Sequence, residues 1–106
     1  MRRLPLTVAP LARLDLAAIR KWLLVEAGPR AAHKMVAAIG TRISGLREWP
    51  LAGVAQPDLG ERVRFVPVSP YVIYYELTDG RLHVLRILHG ARDRGALMAT
   101  AKQDDG

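Results

Sequence analysis

The chain of 106 residues contains no cysteine, which excludes disulfide scaffolds, cysteine-ligated zinc sites and thiol catalysis. This composition suits a reducing compartment. The sequence also lacks a long apolar run. The longest stretch without charge, Phe65 to Tyr75, contains two prolines and falls far short of the ~20 residues of a membrane-spanning helix. At the N-terminus, Pro5, Pro10 and Arg13 interrupt what would be the apolar region of a signal peptide, so we expect a cytoplasmic protein without a membrane partner.

Lysine and acidic residues are scarce, whereas arginine is abundant. Ten acidic residues stand against 16 basic ones, 13 of which are arginine, and the net charge is +6. Arginine favours planar, bidentate partners such as carboxylates and phosphates, so the composition suggests an acidic protein or a nucleic acid as partner. The length predicts one domain over residues 1–100, and the polar tail 101–106 is expected to fray.

Motifs for cofactors, metals and nucleophilic catalysis are missing. The sequence has neither a Gly-x-Gly-x-x-Gly nor a Walker pattern, and no Gly-x-Ser-x-Gly. His33, His83 and His89 lack the spacing of a metal site. We therefore expect no cofactor and no bound metal.

The N-terminal half predicts a short strand followed by two helices. Leu4 to Val8 is strand-like, and its proline favours a sheet edge. A helix is predicted from Pro10 to about Ala27, ended by Gly28-Pro29, and a second helix extends to about Glu48. Because the connection is short, the two helices are predicted to form an antiparallel hairpin.

Asp15 interrupts an otherwise apolar arc of the first helix. The arc, which we expect to face the core, consists of Leu11, Leu14, Leu16, Ala18, Ile19, Trp22, Leu23 and Val25. A carboxylate near its middle is costly unless it is paired. We predict a structural ion pair with Arg86 or Arg92 rather than a catalytic acid.

The C-terminal half has strand composition. Three strands are predicted, Arg62 to Val68, Tyr71 to Leu77 and Arg81 to His89, with a two-residue turn at Asp79-Gly80.

That turn predicts a register in which Tyr75 lies opposite Val84 and Ile73 lies opposite Arg86. The predicted fold is α+β, in the order β-α-α-β-β-β, with a helical hairpin packed on a small antiparallel sheet.

Candidate functional residues cluster in the basic C-terminal half. They are Arg62, Arg64, Arg81, Arg86, His89, Arg92 and Arg94. His89 and Arg92 follow the end of a strand, where they could bind phosphate or transfer protons. Alternatively, Arg92-Asp93 ties down the C-terminal segment.

Several short segments together resemble the ParE/RelE superfamily of bacterial type II toxin–antitoxin systems. They are Ala12-x-x-Asp15-Leu16-x-x-Ile19-x-x-Trp22, Pro50-x-x-Gly53, Val63-Arg64-Phe65, Tyr71-Val72-Ile73-Tyr74-Tyr75 and Leu85-Arg86-Ile87-Leu88-His89-Gly90-Ala91-Arg92-Asp93. They cover nearly the whole chain, and the last two are typical of the ParE-like branch. The resemblance implies the fold derived above and a cognate antitoxin, with a toxin–antitoxin hetero-oligomer as the assembly.

The resemblance implies one of two targets. ParE-like toxins inhibit DNA gyrase by binding, and the target-binding residues here would be Arg64, Arg86, His89, Arg92 and Arg94. RelE-like toxins are endoribonucleases that cut mRNA on the ribosome, with His89 and Arg92 in the site. Two positions that carry an arginine and a tyrosine in those nucleases align with Val72 and near Met98. We therefore prefer the gyrase inhibitor, which is not an enzyme; a third reading is a non-toxic, DNA-binding co-regulator.

Overall fold

The computed structural model describes residues 3–93, which form two helices and a mixed sheet of five strands. In chain order the elements are β1 (Leu6–Val8), α1 (Pro10–Glu26), α2 (Pro29–Glu48), β2 (Val54–Ala55), β3 (Val63–Val68), β4 (Tyr71–Thr78) and β5 (Arg81–His89). The strand order is β1-β5-β4-β3-β2. The predicted α+β fold is therefore confirmed. Within residues 3–93, no helix combines the length and apolarity needed to cross a membrane.

The sheet differs from the purely antiparallel one expected from sequence. β1 lies at the edge, as predicted, but runs parallel to β5. The two-residue strand β2 pairs antiparallel with β3 and was not predicted. The pairing of β1 with β5 joins distant parts of the chain, on which local composition carries no information. The strand β2 has only two residues, too few for a recognisable strand pattern.

The helical hairpin turns at Gly28. This residue has a φ of 92°, a left-handed value that favours glycine. The amides of Ala27 and Gly28 both donate to the carbonyl of Leu23, at 2.8 and 2.9 Å, and so close the last turn of α1. Pro29 then occupies the first turn of α2, where a missing amide hydrogen costs nothing.

Only part of the apolar arc of α1 faces the core. Ala12 and Ile19 are buried, and Leu16 and Leu23 pack against the core beside them. The remaining large members of the arc are exposed: Leu11, Leu14, Trp22 and Val25. The prediction that the whole arc is buried is thus wrong, because one sheet covers only one side of a helix. Asp15 lies at the border between the covered and the exposed side.

The core lies between the helical hairpin and one face of the sheet. Its buried cluster consists of Ala12, Ile19, Ile39, Leu46, Val66, Tyr71, Ile73, Tyr75, Leu82, Val84 and Ile87. The alternating burial of Tyr71, Ile73 and Tyr75 shows that one face of β4 is directed at the helices.

A β-bulge interrupts the β4–β5 hairpin. Near the turn the predicted register holds, with Tyr75 opposite Val84. Beyond Leu85 the register shifts by one residue, so that Arg86 lies opposite Tyr74 and Ile73 lies opposite Ile87. The predicted pairing of Ile73 with Arg86 is therefore wrong. The extra residue lets β5 direct Ile87 rather than Arg86 into the core.

Candidate functional site

Asp15 and Arg86 form a bidentate ion pair that joins α1 to β5. Arg86 donates from Nε to Oδ2 at 2.8 Å and from Nη2 to Oδ1 at 3.0 Å, and the Ile87 amide also donates to Oδ2 at 3.0 Å. The Arg86 and Asp15 side chains are 14% and 13% exposed. Of the two partners that the sequence offers for Asp15, the structure thus uses Arg86 and leaves Arg92 for another contact.

The electrostatics of this pair keep Arg86 charged. The hydrogen bond to the Asp15 carboxylate raises the pKa of Arg86 above its usual value, and this effect outweighs the opposing effect of burial. Because both Asp15 oxygens accept hydrogen bonds from Arg86 and Ile87, the carboxylate has a structural role and is not available to bind a substrate.

An open groove of about 290 Å³ lies beside this pair, between α1 and the end of β5. It is lined by Asp15, Ala18, Ile19, Trp22, Arg86, Ile87, Leu88, Arg92 and Asp93. The groove therefore combines charged and apolar side chains on one open, concave surface, which suits a peptide or protein segment as ligand.

The turn after β5 uses His89 as its anchor. The Arg92 amide donates to His89 Nδ1 at 3.1 Å, and the His89 amide donates to Asp93 Oδ2 at 2.9 Å. The His89 ring also meets Tyr71 edge-on, with the ring centroids 5.8 Å apart. Because Nδ1 accepts a hydrogen bond, the neutral ring carries its proton on Nε2. His89 therefore helps to fold this turn through its ring and its backbone amide.

Arg92 is the cation at the rim of the groove. Its guanidinium carbon lies 5.6 Å from the centroid of the Trp22 ring, and its Nε lies 3.6 Å from Asp93 Oδ1. Half of its side chain is exposed. A flat guanidinium placed over an indole is held in position while its hydrogen-bonding edge stays accessible.

The other predicted target-binding residues are not gathered at this groove. Arg64 donates to the carbonyl oxygens of Gly53 at 2.7 Å and of Leu51 at 3.4 Å, on the β2–β3 side of the sheet. Arg86 lines the groove but is held by Asp15, and His89 is held in the turn after β5 and is not part of the groove lining. Arg94 lies outside the described residues.

Two further sequence expectations concern the C-terminal region and metals. Met98 and the tail 101–106 lie outside residues 3–93. Among the described residues, no group of three or more histidine or acidic side chains is placed to hold a metal ion.

A buried clasp around Tyr75 was not predicted from the sequence. The Tyr75 hydroxyl donates to the Pro50 carbonyl at 2.7 Å and accepts from the Gly53 amide at 3.0 Å. A Cβ atom on Gly53 would lie only 2.8 Å from the Phe65 carbonyl oxygen and would collide with the Tyr75 hydroxyl. Both ends of the motif Pro50-x-x-Gly53 thus contact this hydroxyl. The motif and the tyrosine-rich strand were the two sequence signals for the clasp, but the sequence did not show that they meet.

Removal of the Tyr75 hydroxyl is expected to have a pH-dependent effect. At neutral pH, Tyr75→Phe should lower the free energy of unfolding by about 1–3 kcal/mol, because the Gly53 amide and Pro50 carbonyl lose their partner. Burial raises the pKa of Tyr75, so the neutral form is favoured in the folded state. The stabilisation is complete below the usual tyrosine pKa of about 10 and declines as the pH rises through the folded-state pKa. Urea titrations between pH 7 and 11 should therefore show the free energies of unfolding of Tyr75→Phe and the unmodified protein converging as the pH rises. A difference that stays constant would contradict the assignment of this stabilisation to the Tyr75 hydroxyl.

The sequence is similar to a protein family and to two named relatives. The profile of the family described as ParE toxin of the type II toxin–antitoxin system parDE matches residues 6–94. Toxin RelE2 of Caulobacter vibrioides is 40% identical over 79 residues, which cover 74% of this chain and 85% of that protein. Toxin RelE1 of the same species is 33% identical over 87 residues, covering 78% and 89%.

A solved structure shows the same architecture. The chain matches a structure described as the chromosomal ParDE toxin–antitoxin system from P. aeruginosa with a TM-score of 0.71 and 25% identity. The match covers 82% of this chain and 96% of that one.

Proposed function

The chain belongs to the ParE toxin family of type II toxin–antitoxin systems, and we propose that it inhibits DNA gyrase by binding rather than by chemistry of its own. The observation that carries this proposal is the match to the parDE toxin profile along residues 6–94. The likeness to a ParDE complex supports a cognate antitoxin that neutralises the toxin, with the two proteins forming a hetero-oligomer. Inhibition of gyrase places the action of the toxin in the cytoplasm.

The chemistry of the groove supports a binding function. Asp15 has both carboxylate oxygens engaged, and His89 accepts a hydrogen bond at Nδ1, so neither is poised to take a proton from a substrate. Arg92 alone among the three combines a groove position with a half-exposed charge. We assign it the principal contact with an acidic surface of the target.

The remaining members of the basic set have supporting roles in this proposal. Arg86 holds α1 against β5, and Arg64 holds the segment that contains Gly53. His89 shapes the turn that presents Arg92. Arg94 follows that turn in sequence and adds a further positive charge.

Ribosome-dependent cleavage of mRNA is the second candidate function. The names of the two Caulobacter relatives, RelE1 and RelE2, favour it. Against it stands Val72, which occupies the position where such nucleases carry an arginine. Loss of one charge-stabilising group costs a nuclease several kcal/mol of transition-state stabilisation.

Induction of the toxin without its antitoxin separates the two functions. We expect growth arrest with a DNA damage response and intact mRNA, and purified toxin should inhibit supercoiling by gyrase. If primer extension instead shows discrete cuts in translated mRNA and supercoiling is unaffected, the toxin is the nuclease. Normal growth at full expression would instead support the non-toxic co-regulator.

Arg92→Ala tests the proposed contact. The variant should weaken inhibition of supercoiling at least about tenfold, because interfacial arginines often supply more than 1 kcal/mol. Arg81→Ala is the matched control, since Arg81 is an exposed arginine at the opposite end of β5. Equal inhibition by the two variants would remove Arg92 from the target interface.

A further inference from the structure

Within residues 3–93, one edge of β5 has no strand beside it past the segment that pairs with β1. That segment is Leu82–Val84. Past it, the Ile87 amide donates to the Asp15 carboxylate at 3.0 Å. The His89 amide donates to Asp93 Oδ2 at 2.9 Å, and the His89 carbonyl accepts from the Asp93 amide at 3.0 Å. Because these backbone groups already have partners, an extended peptide cannot add to this edge as a further strand without displacing an aspartate.

The Arg92 guanidinium, at the rim of the same groove, has unused hydrogen-bonding capacity. A guanidinium carries five N–H groups. Within the described chain none of those on Arg92 donates a hydrogen bond, and the 3.6 Å between its Nε and Asp93 Oδ1 is too long for one. Arg86, by contrast, donates two hydrogen bonds to Asp15. A ligand that enters the groove therefore finds N–H donors at Arg92.

The charges of the groove favour a protein ligand over a nucleic acid. The lining contains two arginines and two aspartates, so their formal charges cancel. Nucleic-acid sites carry an excess of positive charge that neutralises several phosphates. The rest of the lining is apolar and includes Ile19, Trp22 and Leu88. A protein segment with an acidic side chain beside apolar ones is complementary to this surface.

Trp22 restricts the position of the Arg92 side chain. Arg92 follows the end of β5, whereas Trp22 lies on α1, and the guanidinium carbon is 5.6 Å from the centroid of the indole ring. Among aromatic rings, the indole attracts a cation most strongly. An arginine that is already held over a ring loses less conformational freedom when a ligand binds to it.

We propose that Trp22 is a positioning residue, whose indole holds the Arg92 guanidinium at the mouth of the groove to receive an acidic side chain of the target protein. This inference rests on the proposed inhibition of gyrase and gives that function a site and a ligand chemistry. Trp22 acts through Arg92 and does not itself bind the target. Because the edge of β5 is capped by aspartates, the target contributes side chains here and not an added strand.

Replacement of the indole tests this role in the supercoiling assay. Trp22→Leu keeps an apolar side chain but removes the ring, so inhibition of gyrase should weaken about fivefold. Trp22→Phe keeps a ring face and should stay within about twofold of the unmodified toxin. Leucine is a strong helix former, so Trp22→Leu should keep its helical circular dichroism.

Trp49→Leu is the matched control. Trp49 is 59% exposed and Trp22 is 48% exposed, but Trp49 follows the end of α2 and does not line the groove. Its replacement should leave inhibition within about twofold, as is usual for a side chain outside the energetic centre of an interface. Equal inhibition by Trp22→Leu and Trp49→Leu would overturn the inference.

A double-mutant cycle separates positioning from direct contact. In an Arg92→Ala background, Trp22→Leu should have no further effect, because the residue that it positions is absent. Additive losses would mean that Trp22 binds the target itself and would overturn the inference.

Calorimetric binding to purified gyrase without DNA tests the chemistry of the ligand. The affinities of the variants should follow the same order as their inhibition of supercoiling. A loss seen only with DNA-bound gyrase would assign Arg92 to a phosphate and overturn the acidic protein side chain as its ligand.

A measurement on the free toxin keeps this inference separate from the proposed function. In nitrogen-15 NMR spectra, Trp22→Leu should shift the Arg92 Nε–H resonance and increase the motion of Nε, because the ring above the guanidinium is gone. Trp49→Leu should do neither. An Arg92 resonance that does not respond to Trp22→Leu would overturn the positioning even if the toxin inhibits gyrase. A resonance that responds, in a toxin that does not inhibit gyrase, would support the positioning and contradict the proposed target.

Discussion

Asp15→Ala is expected to lower the free energy of unfolding by about 3–5 kcal/mol, because it leaves the largely buried Arg86 guanidinium without its carboxylate. The Ile87 amide loses its acceptor in the same variant. Chemical denaturation followed by circular dichroism measures the change. For a domain of this size, such a loss removes a large part of the total stability.

Two variants show whether the charge is the cause. Asp15→Asn keeps an oxygen for the Ile87 amide but removes the negative charge, so it should fall between Asp15→Ala and the unmodified protein. Glu26→Ala removes an exposed carboxylate from the same helix and should change stability by no more than about 0.5 kcal/mol. An Asp15→Ala variant as stable as Glu26→Ala would contradict a structural role of the ion pair.

Gly53→Ala is expected to lower the free energy of unfolding by about 1–3 kcal/mol through overpacking. The added Cβ atom would meet the Phe65 carbonyl oxygen at 2.8 Å and a Tyr75 ring carbon at 2.9 Å. Neither atom is the end of a flexible side chain, so the backbone or the buried ring must move. The same denaturation experiment measures this change.

The effect of Gly53→Ala should depend on Tyr75. In a Tyr75→Phe background the hydroxyl that the Cβ atom displaces is gone, so the two changes should cost less together than the sum of their separate effects. Gly40→Ala is the control, because nothing lies within 4 Å of a Cβ atom at this helical position, and it should stabilise rather than destabilise. Strict additivity of Gly53→Ala and Tyr75→Phe would argue against the clasp.

The sequence by itself determined the elements that have strong local signals. Gly28-Pro29 predicted the end of α1 and the start of α2, since few residues other than glycine adopt the backbone conformation found there. Asp79-Gly80 predicted the β4–β5 turn and the register beside it. A carboxylate among apolar residues predicted that Asp15 needs a cation, because burying an unpaired charge is too costly.

Only the tertiary structure decided which side of α1 is buried, how the strands pair and which arginine binds Asp15. The apolar residues of α1 cover more of its circumference than one sheet can bury, so their pattern could not tell the core side from the exposed stripe of Leu11, Leu14, Ala18, Trp22 and Val25. The bulge at Leu85, the parallel pairing of β1 with β5, and the choice of Arg86 over Arg92 depend on contacts between residues far apart in the chain. Such contacts follow from the packing of the whole domain, because local composition specifies the elements and not their partners.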